Sequence, residues 1–160
     1  MKLFQTPRRK VDRFLRMPVW VMLCSGPIWV LLGIAKGCIA FIPFKHLISC
    51  FGVSIGVAPH NSNITPEQAR IARQIGKVVS LVARYTPWES NCFPRAIVAS
   101  LLLRLKGVPY GIYFGVGREA KGVELVAHSW VMAGAVPVTG GLGRECFVTV
   151  GVFVHPAAIP

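Results

Sequence analysis

Negative charge is scarce in this 160-residue chain, which carries six acidic residues against 18 lysines and arginines, a formal net charge of +12. Such a balance favours anionic partners. The basic residues are spread along the chain, however, and no aromatic-and-basic RNA-binding motif or recognition helix is present. We therefore expect no nucleic-acid partner. The only aspartate is Asp12, so a site in the later part of the chain must do without an aspartate.

The sequence also lacks closely spaced pairs of cysteines. The chain has five cysteines, an odd number, and no C-x-x-C pair, which argues against a secreted disulfide framework and favours the reducing cytoplasm. We expect no cofactor. A zinc site is an alternative because its ligand types are present, although none has the close paired spacing of structural zinc sites. Its candidate ligands are Cys92, His128, Cys146 and His155.

Charge is absent altogether from residues 17–35. This length would suffice for a membrane span, but prolines and glycines interrupt it, and Pro27 would kink a spanning helix near its middle. Short buried or interfacial helices are favoured, with peripheral membrane contact helped by a basic arm at residues 1–16. A small integral membrane protein is the alternative.

A turn-rich linker at residues 54–64 predicts the domain boundary. Residues 1–60 would then comprise the basic arm and an apolar helical region that ends in a short amphipathic segment reaching about Phe51. Residues 61–160 would form the second domain.

Two helices are predicted in the second domain. The first has Thr65 as its N-cap and Gln68 completing a capping box, and it runs to about Arg84. The second begins at about Cys92 and ends by Lys106, because Gly107 suits the position after a helix end.

After Pro109 the pattern becomes extended. Segments rich in β-branched and aromatic residues, separated by glycine-containing turns, predict an antiparallel meander. The four strands are predicted at residues 110–116, 123–132, 135–139 and 145–155. Helices followed by antiparallel strands make the fold class α+β.

Cys92 and His128 are the candidate catalytic residues. The unpaired amides at a helix start favour a thiolate at Cys92. On the second strand, alternation places His128 on the same face as Trp130. A cysteine at a helix start and a histidine on a following strand are typical of a Cys–His nucleophile pair, and Trp130 would shield the pair from water. Cys92 as an ordinary buried cysteine is the simpler alternative.

Four motifs together resemble the B protein of lasso-peptide biosynthesis, the leader peptidase that has a transglutaminase-like, papain-related fold. The resemblance covers residues of about 65–155. The motifs are Asn91-Cys92-Phe93-Pro94-Arg95-Ala96, Leu105-Lys106-Gly107-Val108-Pro109, Ile112-Tyr113-Phe114-Gly115-Val116 and Ala127-His128-Ser129-Trp130-Val131.

The resemblance implies a cysteine protease whose catalytic helix packs on an antiparallel sheet, preceded by apolar N-terminal helices. Cys92 matches the nucleophile and His128 the general base. The implied substrate is a ribosomal precursor peptide cut between leader and core, and the implied partners are an ATP-dependent lasso cyclase and a leader-recognition protein. Residues 1–60 do not resemble the recognition element, so a separate protein is expected. Trp88 and Trp130 are candidate substrate-binding residues.

The sequence departs from this family where a third catalytic residue is expected. The family has an aspartate about a dozen residues after its histidine, whereas this chain has Val138-Thr139-Gly140-Gly141 there. The Thr139 hydroxyl, the Glu145 carboxylate or a backbone carbonyl could orient His128 instead. The missing aspartate also supports an alternative function, a non-catalytic scaffold of the lasso-peptide maturation complex.

Overall fold

The structure, a computed structural model, describes residues 19–57, 62–88, 90–118, 125–141 and 143–155. The predicted basic arm at residues 1–16 lies outside these ranges. The elements in chain order are α1 (Val19–Phe41), α2 (Phe44–Ser49), β1 (Val53–Ser54), α3 (Pro66–Ala83), α4 (Cys92–Leu105), β2 (Gly111–Arg118), β3 (Leu125–Ala133), β4 (Val136–Thr139), a 3₁₀ turn (Arg144–Cys146) and β5 (Val148–Val154).

Helices α3 and α4 have the ends that the sequence predicts. At the start of α3, the Gln68 amide donates to Thr65 Oγ1 at 3.1 Å and the Thr65 amide donates to Gln68 Oε1 at 3.0 Å, which completes the capping box. At the end of α4, Val108 N bonds the Leu103 carbonyl at 3.0 Å. Gly107 has a φ of +62° there, a backbone conformation that glycine adopts without steric cost.

The five strands form one antiparallel sheet in the order β1-β5-β2-β3-β4. The α+β class is therefore confirmed, but the predicted simple meander is wrong, because β5 returns to pair with β2 instead of β4. Helix α3 lies against β4 so closely that a Cβ at Gly76 would collide with the Val138 carbonyl. Since α3 covers this edge, the last strand pairs on the other side of the sheet.

Strand β1 is a second difference from the sequence prediction. Residues 53 and 54 pair with β5, at the start of the predicted linker of residues 54–64, where the sequence predicts no strand. A strand of two residues is too short to give an alternating pattern, and this explains why the sequence does not reveal it.

The buried side chains of the helices and the sheet form three clusters. One lies between the sheet and α3 and α4, and contains Ala99, Leu103 and Val131. A second joins α1 to α3 and α4 through Leu32, Val79 and Val98. The third covers the opposite face of the sheet around Tyr113, Trp130, Val152 and Val154.

Helix α1 is continuous through Pro27, whereas the sequence favours short helices in this region. Burial of Leu32 and Ala35 against α3 and α4 holds the helix beyond the proline. Within the described residues, no helix combines the length and hydropathy needed to cross a membrane. The predicted domain boundary at residue 60 stays a prediction.

Candidate active site

Cys92 is the first residue of α4, and Asn91 is the N-cap. The Asn91 side chain makes no capping hydrogen bond. The first helical amides are therefore without a side-chain acceptor from the cap, and their partial positive charge lies at the Cys92 end of the helix. Cys92 is partly buried. This placement agrees with the helix start predicted from the sequence.

The loop that leads into α4 is held by buried hydroxyl groups. Thr86 is fully buried, and its hydroxyl contacts the Ser90 hydroxyl at 2.8 Å and the carbonyls of Ala83 and Trp88 at 3.0 Å each. Arg95 Nε donates to the Ser90 carbonyl at 2.8 Å. These bonds tie the end of α3 to the first turn of α4, so they fix the position of Cys92.

Arg95 also acts on Cys92 electrostatically. Partial burial lowers the pKa of the Arg95 guanidinium, a negative charge on the Cys92 sulfur acts to raise it, and the nearby Arg84 lowers it further. The Arg95 guanidinium therefore lies close enough to the Cys92 side chain to interact with it electrostatically.

His128 lies on β3 and is oriented by a backbone carbonyl. Its Nε2 atom is 2.9 Å from the Gly140 carbonyl oxygen, twelve residues further along the chain. Gly140 follows β4 and has a φ of +65°. This carbonyl takes the position in sequence at which the lasso-peptide B proteins have an aspartate, so it corresponds to the third orienting option that the sequence left open.

The hydrogen bond to Gly140 fixes the tautomer of a neutral His128. A carbonyl oxygen can only accept a hydrogen bond, so Nε2 must carry the hydrogen. Nδ1 of a neutral ring is then unprotonated and can accept a proton. The hydrogen bond therefore leaves Nδ1 as the ring nitrogen with a free lone pair.

Aromatic rings enclose the other sides of His128. The His128 ring centroid lies 5.9 Å from that of Trp130 and 4.8 Å from that of Phe147. Trp130 is 5% exposed, so it covers one side of the imidazole, and shielding of a Cys92–His128 pair from water stays a prediction.

Cys92 and His128 line one cavity of about 200 Å³, together with Phe44, Phe93, Phe114, Ala127 and Ser129. The three phenylalanine rings pack against one another with centroid distances of 5.1–5.6 Å. The cavity walls are therefore largely apolar, which suits an apolar side chain of a ligand. The Ser129 hydroxyl is buried and has no hydrogen-bond partner within the described part of the chain.

The two candidate catalytic residues line this cavity from elements on different faces of the sheet. Helix α4 packs on the face of β3 that carries Val131, whereas His128 shares the opposite face with Trp130. Strand β4 pairs with β3 only from Val131 to Ala133, so in the described sheet that side of β3 has no strand partner at His128. Among the described atoms no hydrogen bond joins the Cys92 sulfur to His128. Such bonds often form only once substrate is bound.

Thr139 and Glu145 do not orient His128 in this structure. The Thr139 hydroxyl is buried without a hydrogen-bond partner among the described residues. The Glu145 side chain is 74% exposed and lies 3.9 Å from Arg144. The Gly140 carbonyl contacts His128 Nε2 because the chain after β4 turns back beside Ser129 and His128.

The two tryptophans predicted to bind substrate are outside the cavity lining. The Trp88 ring packs against Trp29, with centroids 4.6 Å apart, and against Gly33 of α1. Trp130 lies between Tyr113 and His128. Trp88 therefore packs on α1 and Trp130 packs beside His128, and direct contact of either with substrate stays a prediction.

The alternative zinc site finds no support in this geometry. Within the described ranges, no group of three or more histidine, cysteine or acidic side chains is placed to hold a metal ion. Cys146, one of the proposed ligands, is exposed.

Several residues of the site were not predicted from the sequence. The phenylalanines of the cavity come from α2, α4 and β2, which the sequence does not bring together. Ser129 has a sequence signal, since it follows His128 and alternation places it on the α4 side of the strand. For Thr86 and Ser90, the only feature of the sequence that indicates a role in the site is their position just before the predicted helix start.

The family model of the transglutaminase-like superfamily matches residues 39–151, more than half of the chain. The chain belongs to the transglutaminase-like superfamily. The match includes Cys92 and His128, and it begins within α1. This superfamily includes cysteine proteases, and its members commonly have cysteine-protease or transglutaminase activity. Comparisons with curated proteins and with solved structures gave no significant match.

Proposed function

We propose that this transglutaminase-like protein is a cysteine protease that removes the leader from a lasso-peptide precursor. The observation that carries the proposal is that Cys92, at the start of α4, lines the same cavity as His128, whose Nε2 is held by the Gly140 carbonyl. The four motifs shared with the lasso-peptide B proteins supply the choice of substrate.

The proposed reaction begins with transfer of the Cys92 proton to His128 Nδ1. The thiolate attacks the carbonyl carbon of the bond between leader and core, and the amides at the start of α4 stabilise the oxyanion. The C–N bond breaks as the imidazolium protonates the leaving amine of the core. Water, deprotonated by His128, then hydrolyses the thioester and releases the leader with a free carboxylate.

The neutral Gly140 carbonyl has a consequence for the rate. A hydrogen bond to a charged acceptor is about twice as strong as one between neutral groups. The imidazolium intermediate is therefore stabilised less than it would be by an aspartate. We expect slower turnover than in family members that have the aspartate, together with the same requirement for Cys92 and His128.

The proposed partners follow from the same resemblance. They are the precursor peptide, a separate leader-recognition protein and the ATP-dependent cyclase that uses the freed core amine. We place the reaction in the cytoplasm. Exposed apolar side chains of α1, such as Val30 at 52% and Ile34 at 56%, support peripheral membrane contact as part of the proposal.

The second candidate function is a non-catalytic scaffold of the maturation complex. It is favoured by the lack of a hydrogen bond between Cys92 and His128 in the described structure and by the neutral carbonyl at the third position. A scaffold needs the fold and its surfaces, but it does not need the thiol.

Incubation of the purified protein with a candidate precursor and its recognition protein tests the proposal. Mass spectrometry should detect separate leader and core fragments with the wild-type protein and neither fragment with Cys92→Ala. Intact precursor in the wild-type reaction, together with normal lasso-peptide production by cells that carry Cys92→Ala, would support the scaffold.

A further inference from the structure

A cationic groove lies between α3 and β4, outside the cavity that contains Cys92. Its volume is about 560 Å³. One wall is a stripe of α3, and the floor comes from β4. The lining residues are Arg73, Gly76, Lys77, Ser80, Leu81, Arg84, Pro137 and Val138.

Within the described residues, no acidic side chain compensates the positive charge of this groove. Arg73, Lys77 and Arg84 are exposed and form no ion pair or hydrogen bond among the described residues. No lining residue is acidic. Glu67, the acid in the first turn of α3, is already paired with Arg70 at 2.7 Å. The groove therefore attracts a ligand with negative charges.

The spacing of the cations suits an extended peptide. Arg73 and Lys77 are one helical turn apart, about 6 Å, and Arg84 follows Lys77 after about 10 Å. Alternate side chains of an extended peptide are about 7 Å apart, so carboxylates at every second position can reach these cations. The apolar surface of Leu81, Pro137 and Val138 suits the remaining side chains. The lining contains no aromatic ring on which a nucleic-acid base would stack.

Two connections join the groove to the candidate active site. Arg84 acts electrostatically on Arg95, which in turn interacts with Cys92. On the floor, the chain continues from Pro137 and Val138 through Thr139 to Gly140, whose carbonyl binds His128. The Arg84 end of the groove is therefore the end nearer to Cys92.

We infer that the groove between α3 and β4 binds an acidic segment of the peptide substrate and delivers an adjoining segment to Cys92. This inference rests on the proposed function for the identity of the bound peptide. Arg73 and Lys77 hold carboxylates at one end of the groove, and Arg84 holds one at the end nearer to Cys92.

Fluorescence anisotropy with the full-length Cys92→Ala protein tests binding without cleavage. The probe is a labelled peptide of about ten residues with glutamate at every second position, compared with its glutamine counterpart. We expect the glutamate peptide to bind about tenfold more tightly, since each exposed ion pair contributes modestly and several act together. The preference should weaken with added salt.

The variant R73E/K77E should lose about tenfold or more in affinity for the glutamate peptide. The control K106E/R118E makes the same change in total charge at exposed positions outside the groove and should bind almost as the parent does. A peptide with lysine in place of glutamate should bind R73E/K77E better than it binds the parent. Equal losses in both double variants, equal binding of the glutamate and glutamine peptides, or tighter binding of a DNA oligonucleotide or anionic vesicles would overturn the inference.

Cleavage assays separate failure of the groove from failure of the proposed function. If wild-type protein cuts the precursor and R73E/K77E cuts it equally well at low precursor concentration, the groove inference fails and the peptidase stands. If the groove discriminates between the peptides as expected and the precursor stays intact, the peptidase proposal fails while the groove remains an acidic-peptide site.

Discussion

The two sides of the candidate active site are held in different ways. On the cysteine side, the side chains of Thr86, Ser90 and Arg95 form a network that fixes the loop before α4. On the histidine side, one backbone carbonyl orients His128, and the rings of Trp130 and Phe147 confine it. The position of the Cys92 sulfur thus depends on hydroxyl and guanidinium groups. The orientation of the His128 imidazole depends instead on the path of the backbone at Gly140.

Removal of either reacting group should have the largest effect, because the proposed reaction needs both the thiol and the imidazole. We expect Cys92→Ala and His128→Ala each to reduce precursor cleavage by about 10³-fold or more, as for residues that act as a unit in other hydrolases. Cleavage is measured by mass spectrometry. Cys146→Ala, which removes an exposed cysteine, is the control and should keep wild-type activity. Comparable activity of Cys92→Ala and wild type would contradict the account.

Gly140→Ala should disrupt the orientation of His128 and leave the loop before α4 intact. A Cβ at Gly140 would lie 2.6 Å from the Ser129 carbonyl oxygen and 3.1 Å from His128 Nε2. The carbonyl must therefore shift, and we expect kcat to fall by about 10- to 100-fold through loss of the orienting bond.

Gly143→Ala is the matched control for Gly140→Ala. Gly143 also has a positive φ, +76°, but a Cβ there meets nothing within 4 Å. Both variants should lose about 1 kcal/mol of stability from the left-handed backbone, with a larger loss in Gly140→Ala because of the collision. Only Gly140→Ala should also lose activity. Equal activity of the two variants would show that the Gly140 carbonyl does not position His128.

Thr86→Val should weaken the hydrogen-bond network that holds the loop before Cys92. The substitution keeps the shape of the side chain and removes a buried hydroxyl that bonds Ala83, Trp88 and Ser90. We expect a loss of about 1–3 kcal/mol in the free energy of unfolding, measured by urea denaturation. Activity should fall less than in Gly140→Ala, since Arg95 still holds the Ser90 carbonyl.

Thr139→Val provides the comparison for Thr86→Val. The Thr139 hydroxyl is equally buried, but it has no hydrogen-bond partner in the described structure. Its removal should be neutral or stabilising, and precursor cleavage should be unchanged. A larger drop in activity for Thr139→Val than for Thr86→Val would return Thr139 to the role of orienting His128.

The smallest expected effect concerns His155, which is remote from both sides of the pair in sequence and follows β5. Burial lowers the pKa of His155, and Arg104 lowers it further. The unfolded chain therefore binds more protons than the folded chain as pH falls below about 6.5, so stability decreases with falling pH in that range. His155→Gln should flatten the decrease in Tm between about pH 7 and pH 5. An unchanged pH profile would contradict this assignment.

The sequence reveals the parts of the fold that local chemistry determines. The capping box at Thr65, the helix end at Gly107 and the helix start at Cys92 each depend on contacts within a few residues, and all three are as predicted. The pairing of β5 with β2 depends on α3 covering the edge of β4, which is a long-range contact. No local pattern encodes it.

The candidate site divides in the same way. Cys92 and His128 are residue types with recognisable chemistry at a helix start and on a strand. The group that orients His128 is a backbone carbonyl, which every residue possesses, so the sequence cannot distinguish it from a hydroxyl or a carboxylate nearby. The apolar cavity is equally hidden, because Phe44, Phe93 and Phe114 meet only after α2, α4 and β2 have packed together.

The reactivity of the Cys92 sulfur with and without His128 shows whether the two residues form a catalytic pair. Iodoacetamide alkylation of the native protein at neutral pH, resolved by peptide mass spectrometry, compares Cys92 with the more exposed Cys50 and Cys146. If His128 accepts the Cys92 proton, the partly buried Cys92 reacts faster than both, and His128→Ala removes that advantage. If Cys92 reacts no faster than the exposed cysteines, or if His128→Ala leaves its rate unchanged, the two residues do not form a catalytic pair.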